Sequence, residues 1–156
     1  MQVDQLSIPG VYQFSLNTHQ DNRGHFTEIF RKLWFVQPLY IDWSKIQVNV
    51  SHSKKNVLRG LHYHLKQVDY WYVASGLIQV GLLDTRDSKT KPIMLELGGD
   101  SGLFIPEGVA HGFLALEDTT LIYLVNQYYD PADENNIPWQ TLKWAIDKPI
   151  VSERDG

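Results

Sequence analysis

Short runs of aromatic and β-branched residues, broken at close intervals by turn residues, fill most of this chain, and that rhythm limits it to an antiparallel sandwich or barrel. Residues 11–16 alternate weakly between apolar and polar, and residues 70–73 and 77–83 are rich in strand formers around Gly76. Further short strands are predicted over residues 92–97, 103–105, 114–116 and 119–129, the last two divided by Glu117-Asp118. Turns are expected at Asp21-Asn22-Arg23-Gly24, at residues 84–89 and 98–102, and at Pro106-Glu107-Gly108. One short helix is predicted over residues 27–35. Residues 137–150, with two tryptophans and two prolines, read as an ordered C-terminal extension. The expected class is therefore all-β with short peripheral helices.

A length of 156 residues suits one domain, residues 1–156, with a single sizeable core. The formal net charge of −4 argues against a nucleic-acid partner, since neutralising a phosphate backbone calls for a basic surface. A small anionic ligand stays open, because a few arginines in a pocket need no basic protein around them. The absence of cysteine removes disulfides, thiolate chemistry and cysteine-ligated zinc. Residues 1–10 show no basic region followed by an apolar run. No apolar stretch approaches the roughly 18 residues needed to cross a bilayer. No membrane association and a cytoplasmic location are the expectations.

Two stretches concentrate chemistry. Arg59-Gly60-Leu61-His62-Tyr63-His64 is followed by Asp69 and Gly76. On a strand, residues i and i+2 share a face, so His62 and His64 project together, and Asp69 on the next strand can join them in a barrel interior. The second stretch runs through Gly102, Pro106 and Gly108 to His111. Together the two resemble the paired motifs of the cupin superfamily, with Asp69 where glutamate is usual and Ala115 where asparagine is usual. The resemblance implies a jelly-roll β-barrel with a central pocket.

A closer resemblance covers the chain from about residue 8 to Asp155. Asp21-Asn22-Arg23-Gly24-His25-Phe26-Thr27-Glu28 is similar to the D-x-R-G-x-F-x-E segment of dTDP-4-dehydrorhamnose 3,5-epimerases. Residues 47–63 and 105–113 are similar to that family without a break, as are Tyr123, Tyr128-Tyr129, Pro131, Glu134, Trp139, Ser152 and Asp155. The resemblance implies an epimerase of a nucleotide-linked 4-keto-6-deoxy sugar, inverting C3, C5 or both through an enolate. It assigns the base to His62, oriented by Asp155, and the opposite-face proton donor to Tyr123. Histidine suits the base role because its ordinary pKa lies near neutrality. Arg23 and Arg59 would hold phosphates or sugar, the guanidinium fork matching both. Glu28, Gln47, Asn49, His111 and Tyr129 fall on ligand-binding or pocket positions of the family. A homodimer, formed through strands on the N-terminal side, is the expected assembly.

The pattern departs from the family at two places. Glutamine is usual at His64, and a lysine thought to hold the C4 oxygen is usual at Asp69; three residues are also missing between His62 and Asp69. His64 and Asp69 are therefore pocket candidates whose role the resemblance leaves open. The Arg59–His64 segment also resembles the R-G-x-H-A-H segment of sugar-nucleotide 3,4-ketoisomerases. A metal-binding cupin using His62, His64, Asp69 and His111, and a non-catalytic sugar-nucleotide binder, are the other readings. A metal bound to His62 would take the lone pair a general base needs, so the expectation is no cofactor and no required metal.

Overall fold

In a computed structural model of the chain, residues 2–36 and 39–156 are described. Thirteen strands form among them: β1 (Gln2–Gln5), β2 (Tyr12–Ser15), β3 (Thr18–Asp21), β4 (Gly24–Thr27), β5 (Gln47–Ser53), β6 (Leu58–Tyr63), β7 (Asp69–Ser75), β8 (Ile78–Asp84), β9 (Ile93–Leu97), β10 (Ser101–Ile105), β11 (Val109–Ala115), β12 (Thr119–Val125) and β13 (Asn135–Asn136). They make a six-stranded sheet in the order β1-β2-β10-β7-β12-β5 and a five-stranded sheet in the order β13-β6-β11-β8-β9, with β3-β4 as a separate hairpin. Pairings throughout are antiparallel. This is the all-β jelly-roll architecture the motifs imply.

The period-two alternation of the strands supplies three packed layers. Between the sheets lie Trp71, Val73, Val80, Leu82, Leu103, Phe113 and Leu121. The alternate residues of the six-stranded sheet, Phe14, Tyr70, Phe104 and Leu124, face outward, where Phe35 and Trp43 cover them. Phe35 stands 5.2 Å from both Phe14 and Tyr70, and the Tyr70 contact is edge-on. Edge-on aromatic pairs of this kind add to simple area burial. On the far side, Leu142 and Trp144 cover the five-stranded sheet near Leu61 and Ala110. Gly81 makes room for that cover, since a Cβ there would fall 2.7 Å from both Leu142 and Trp144. The 137–150 extension is thus ordered as expected, and Ile150 bridges to Val57 at its end.

The expected helix over residues 27–35 does not form. Thr27 ends β4, Arg31 is extended, and only a 3-10 turn at Lys32–Phe35 follows. Two further 3-10 turns, Pro131–Asp133 and Trp139–Thr141, complete the helical content among the described residues. The physical reason lies in the aromatic cover. Phe30, Trp34, Phe35 and Trp43 all pack on the same sheet face, and an irregular path spreads them over it more widely than one helical stripe. Strands β5 and β6 extend the sequence reading, which placed no explicit strand over residues 47–53. No helix of the described residues is long and apolar enough to cross a membrane.

Candidate active site

The two sheets enclose a cavity of about 620 Å³. Gln47 and Asn49 on β5, Asp69 and Trp71 on β7, and Tyr123 on β12 form one wall. Arg59 and His62 on β6 and His111 on β11 form the wall opposite. The sheets therefore hold His62 and Tyr123 on facing walls.

A tight crossing of backbones sets the histidine wall. β6 and β11 pair His62 with His111, and their register shifts just beyond, between His111 and Phe113. Gly60 and Gly112 meet there. Gly60 has φ +109, and a Cβ on it would come within 2.7 Å of Gly112 Cα and His111 O. Only glycine fits that backbone and that approach.

His62 Nε2 lies 2.8 Å from Asp155 Oδ1. Asp155 comes from the end of the chain, yet its side chain is only 8% exposed. Its backbone N–H donates to Ser152 O at 3.1 Å, which curls the tail over the cavity. An ionised carboxylate can only accept, so Nε2 carries the proton and Nδ1 the lone pair.

His64 follows β6 directly and lines the cavity with His62, as the i, i+2 spacing predicts. Its Nδ1 donates to the carbonyl of Asp133 at 2.8 Å. The carboxylate of Asp133, itself buried, accepts from the backbone N–H groups of Leu65 (2.8 Å) and Lys66 (3.0 Å). This clamp fixes the turn between β6 and β7. Lys66 is exposed and lines a separate cavity of about 250 Å³ with Asp130 and Asp133, so it does not supply a cation to the main one.

His111 donates Nδ1–H to the carbonyl of Val109 at 2.9 Å. Burial pushes its pKa below the ordinary histidine value, against a smaller opposing pull from Asp69. Asp69 is 3% exposed. It accepts from Gln67 Nε2 at 3.1 Å and Trp71 Nε1 at 3.4 Å, and Oδ2 stands 3.9 Å from His111 Nε2. The Tyr123 hydroxyl is held above its ordinary pKa, first by burial and then by the negative charge of Asp69. It is therefore a protonated phenol at neutral pH.

The mouth carries polar groups joined into a chain. Gln47 donates to Asn49 Oδ1 (3.0 Å) and accepts from the Tyr129 N–H (3.1 Å), while the Tyr129 hydroxyl donates to Glu134 (3.2 Å). Glu134 also pairs with Arg154. Arg59 donates to Ser53 Oγ and the His52 carbonyl. Arg154 and the clamp at Asp133 were not among the sequence candidates. Neither has a local signal, because each acts only once the segments after β12 fold back onto the mouth.

Two candidates lie elsewhere. Arg23 is 86% exposed and bonds Asp21 within its own hairpin turn, and Glu28 pairs with Arg31. Neither lines the cavity of its own chain. The remaining ten do: Gln47, Asn49, Arg59, His62, His64, Asp69, His111, Tyr123, Tyr129 and Asp155.

Residues 5–156 match the family model of dTDP-4-dehydrorhamnose 3,5-epimerase. The chain is 39% identical over 143 residues to the Bacillus subtilis spore coat polysaccharide biosynthesis protein SpsL, covering 85% of this chain and 90% of that one. It is 33% identical over 172 residues to the Shigella flexneri dTDP-4-dehydrorhamnose 3,5-epimerase, covering 99% and 93%. Among solved structures, the Legionella pneumophila dTDP-6-deoxy-D-glucose-3,5-epimerase in complex with dTDP-4-keto-L-rhamnose superposes with a TM-score of 0.89 at 28% identity, covering 99% of this chain and 89% of that one. With a match over nearly its whole length, and with the facing-sheet cavity such an enzyme needs, this chain belongs to the dTDP-4-dehydrorhamnose 3,5-epimerase family of isomerases.

Proposed function

We propose that this epimerase acts on a dTDP-linked 4-keto-6-deoxy sugar, with His62 as general base, Asp155 as its orienting carboxylate and Tyr123 as the proton donor. A ketone acidifies the hydrogens on the carbons beside it, because the electrons of the broken C–H bond pass into an enolate. His62 Nδ1 takes that proton, and Asp155 stabilises the imidazolium that results. Tyr123 then delivers its hydroxyl proton to the same carbon from the other side and regains one from solvent. Inversion needs base and acid on opposite faces of one carbon. The observation that carries the reading is the one that meets this need: a carboxylate-oriented histidine on one sheet facing a protonated tyrosine on the other.

Arg59 is the cation nearest in sequence to the base, and the mouth chain of Gln47, Asn49, Tyr129 and Glu134 suits the nucleotide and its hydroxyls. In the proposed assembly, a homodimer, Arg23 and Glu28 serve the cavity of the partner subunit. Two observations support this. The β3-β4 hairpin is exposed almost throughout, and a lone two-stranded hairpin is marginal in water. Val48 and Val50, both 58% exposed, also form an apolar outer face on the edge strand β5.

The test is incubation with 4-keto-6-deoxy sugars linked to dTDP, GDP or CDP in deuterated water, read by NMR. Deuterium at C3, C5 or both, with inversion, is the expected result. Migration of the ketone from C4 to C3 would select the isomerase reading, and tight binding without exchange would select a binder.

A further inference from the structure

We propose that His64, Asp69 and His111 form a binding site for one divalent transition-metal ion, placed in the cavity to take the ketone oxygen of the substrate. One ligand atom from each of these residues lies within 4.8 Å of the others. The tautomers make this juxtaposition unusual. A carbonyl oxygen can only accept, so the bonds to Asp133 O and Val109 O place the proton of each ring on Nδ1. In their neutral forms both rings then keep their lone pair on Nε2, and that of His111 stands 3.9 Å from Asp69 Oδ2, too long for a proton to bridge as a hydrogen bond. One ligand atom of His64 clusters with these two groups, so, among the described residues, acceptors crowd together with no donor between them. A cation at that point resolves the conflict.

The surroundings are those of a built site. Each imidazole is held from behind by a backbone carbonyl, and Asp69 is oriented by Gln67 and Trp71. Such outer partners fix ring orientation and raise the basicity of the ligating nitrogen. Asp69 and His111 are buried. Two imidazoles and one carboxylate leave open coordination positions and suit Mn(II), Fe(II), Co(II), Ni(II) or Zn(II).

His62 is not part of this group. Its Nε2 is engaged by Asp155, and its Nδ1 stays available as a base. The competition for one nitrogen that spoke against a metal from the sequence does not arise in the fold. The site also answers the departure at Asp69. An isolated carboxylate facing a developing enolate would oppose it, whereas a divalent ion on one carboxylate leaves net positive charge there. A metal in that place supplies Lewis-acid polarisation of the ketone oxygen. This catalytic half rests on the epimerase reading, but the binding half does not.

The experiment uses the full chain purified without an affinity tag, stripped with a chelator and titrated with Co(II), followed by calorimetry and visible absorption. The expected result is one equivalent bound, with d–d bands and a raised melting midpoint. Asp69→Asn and His64→Gln, each close in shape to the original, should weaken binding beyond the roughly 10–100-fold that outer partners alone are worth. His62→Asn should bind Co(II) as the unaltered chain does. Deuterium exchange should fall in the stripped protein and return with metal. No binding, or binding unchanged in both Asp69→Asn and His64→Gln, would overturn the site. Binding at the site with full exchange in the stripped protein would overturn its Lewis-acid role. Binding at the site with no exchange in any state would uphold the site and remove the epimerase reading instead.

Discussion

His62 Nε2 and Asp155 Oδ1 stand 2.8 Å apart although 93 residues separate them in sequence. That contact closes the cavity with the end of the chain and fixes which nitrogen of His62 can accept a proton. Removing the proposed base, as in His62→Asn, should lower kcat by roughly 10²–10⁴-fold with little change in KM. Asp155→Asn should move kcat the same way by a smaller factor, because the ring stays but its tautomer and orientation are released. Steady-state kinetics with a 4-keto sugar nucleotide checks both. Near-normal turnover by His62→Asn would take the base role from it.

Tyr123→Phe should separate two events that the unaltered chain performs together. His62 stands on the other sheet and should still exchange the acidic hydrogen with solvent. Protonation from the Tyr123 side should be lost, so deuterium should enter while configuration is retained. NMR of the recovered sugar in deuterated water reads both outcomes at once, and full inversion by the variant would point to another donor.

Much of this was legible before folding. The i, i+2 spacing of His62 and His64, and the turn leading to His111, marked the residues that the two sheets bring together. The unbroken stretches around them pointed to the family. What sequence could not carry was non-local. Asp133 matters only because its carbonyl meets His64 and its carboxylate caps a two-residue stretch of backbone. His64, Asp69 and His111 stood with His62 in the metal-binding reading of the sequence, and only the fold sets His62 apart from them, through its contact with Asp155. The helix expected over residues 27–35 failed for a related reason. Its aromatic side chains serve a sheet face rather than a helical stripe, and periodicity over so short a run does not separate the two.

The glycine crossing should be intolerant. Gly112→Ala would place a Cβ 2.6 Å from Arg59 O, against backbone that cannot give way cheaply. β6 and β11 should part locally, moving His62 and His111 relative to each other. We expect a loss of stability of about 1–3 kcal/mol, as for overpacking elsewhere, with a larger proportional loss of kcat. Urea unfolding combined with kinetics on the folded fraction distinguishes the two. Unchanged kcat in folded Gly112→Ala would mean that the crossing does not position the site.

Acid sensitivity should trace in part to Asp84. Arg86 donates to it from Nε at 2.8 Å and from a terminal nitrogen at 2.9 Å, and also reaches the carbonyl of Pro9. The Arg86 hydrogen bonds hold the Asp84 carboxyl below the usual 3.8, against a smaller opposing effect of burial. A carboxyl with a lowered folded pKa adds stability that is present above its unfolded value and is lost as pH falls through the folded one. Stability should therefore decline below about pH 4. Asp84→Asn should cost about 1–3 kcal/mol at pH 7 and flatten the acid limb. Urea midpoints at pH 7 and pH 3 for both proteins test this, and parallel acid limbs would exclude Asp84 as a contributor.

The assembly prediction rests on where Arg23 is not. An arginine placed by its motif among the ligand-binding residues stands 86% exposed, on a hairpin whose side chains do not enter the cavity of its own chain. Either Arg23 has no part in binding or it acts in a second copy. Sedimentation at micromolar concentration should give twice the 18.0 kDa of one chain. In the trans arrangement, Arg23→Ala and His62→Asn homodimers should each be impaired. Mixing them by unfolding and refolding should restore about a quarter of the activity. Random pairing makes half the molecules heterodimers, each with one intact site that has both a partner's arginine and its own histidine. In the cis arrangement each chain keeps its own defect, so these heterodimers would have no intact site and mixing would restore nothing beyond the parent variants. The double variant Arg23→Ala/His62→Asn, refolded with the unaltered chain, gives the reverse pattern. In trans, its heterodimers have no fully intact site: the unaltered histidine faces the partner's alanine. In cis, each keeps one. Activity above that of the unaltered homodimer fraction would therefore return Arg23 to its own chain, and its absence would place the hairpin over the partner's cavity.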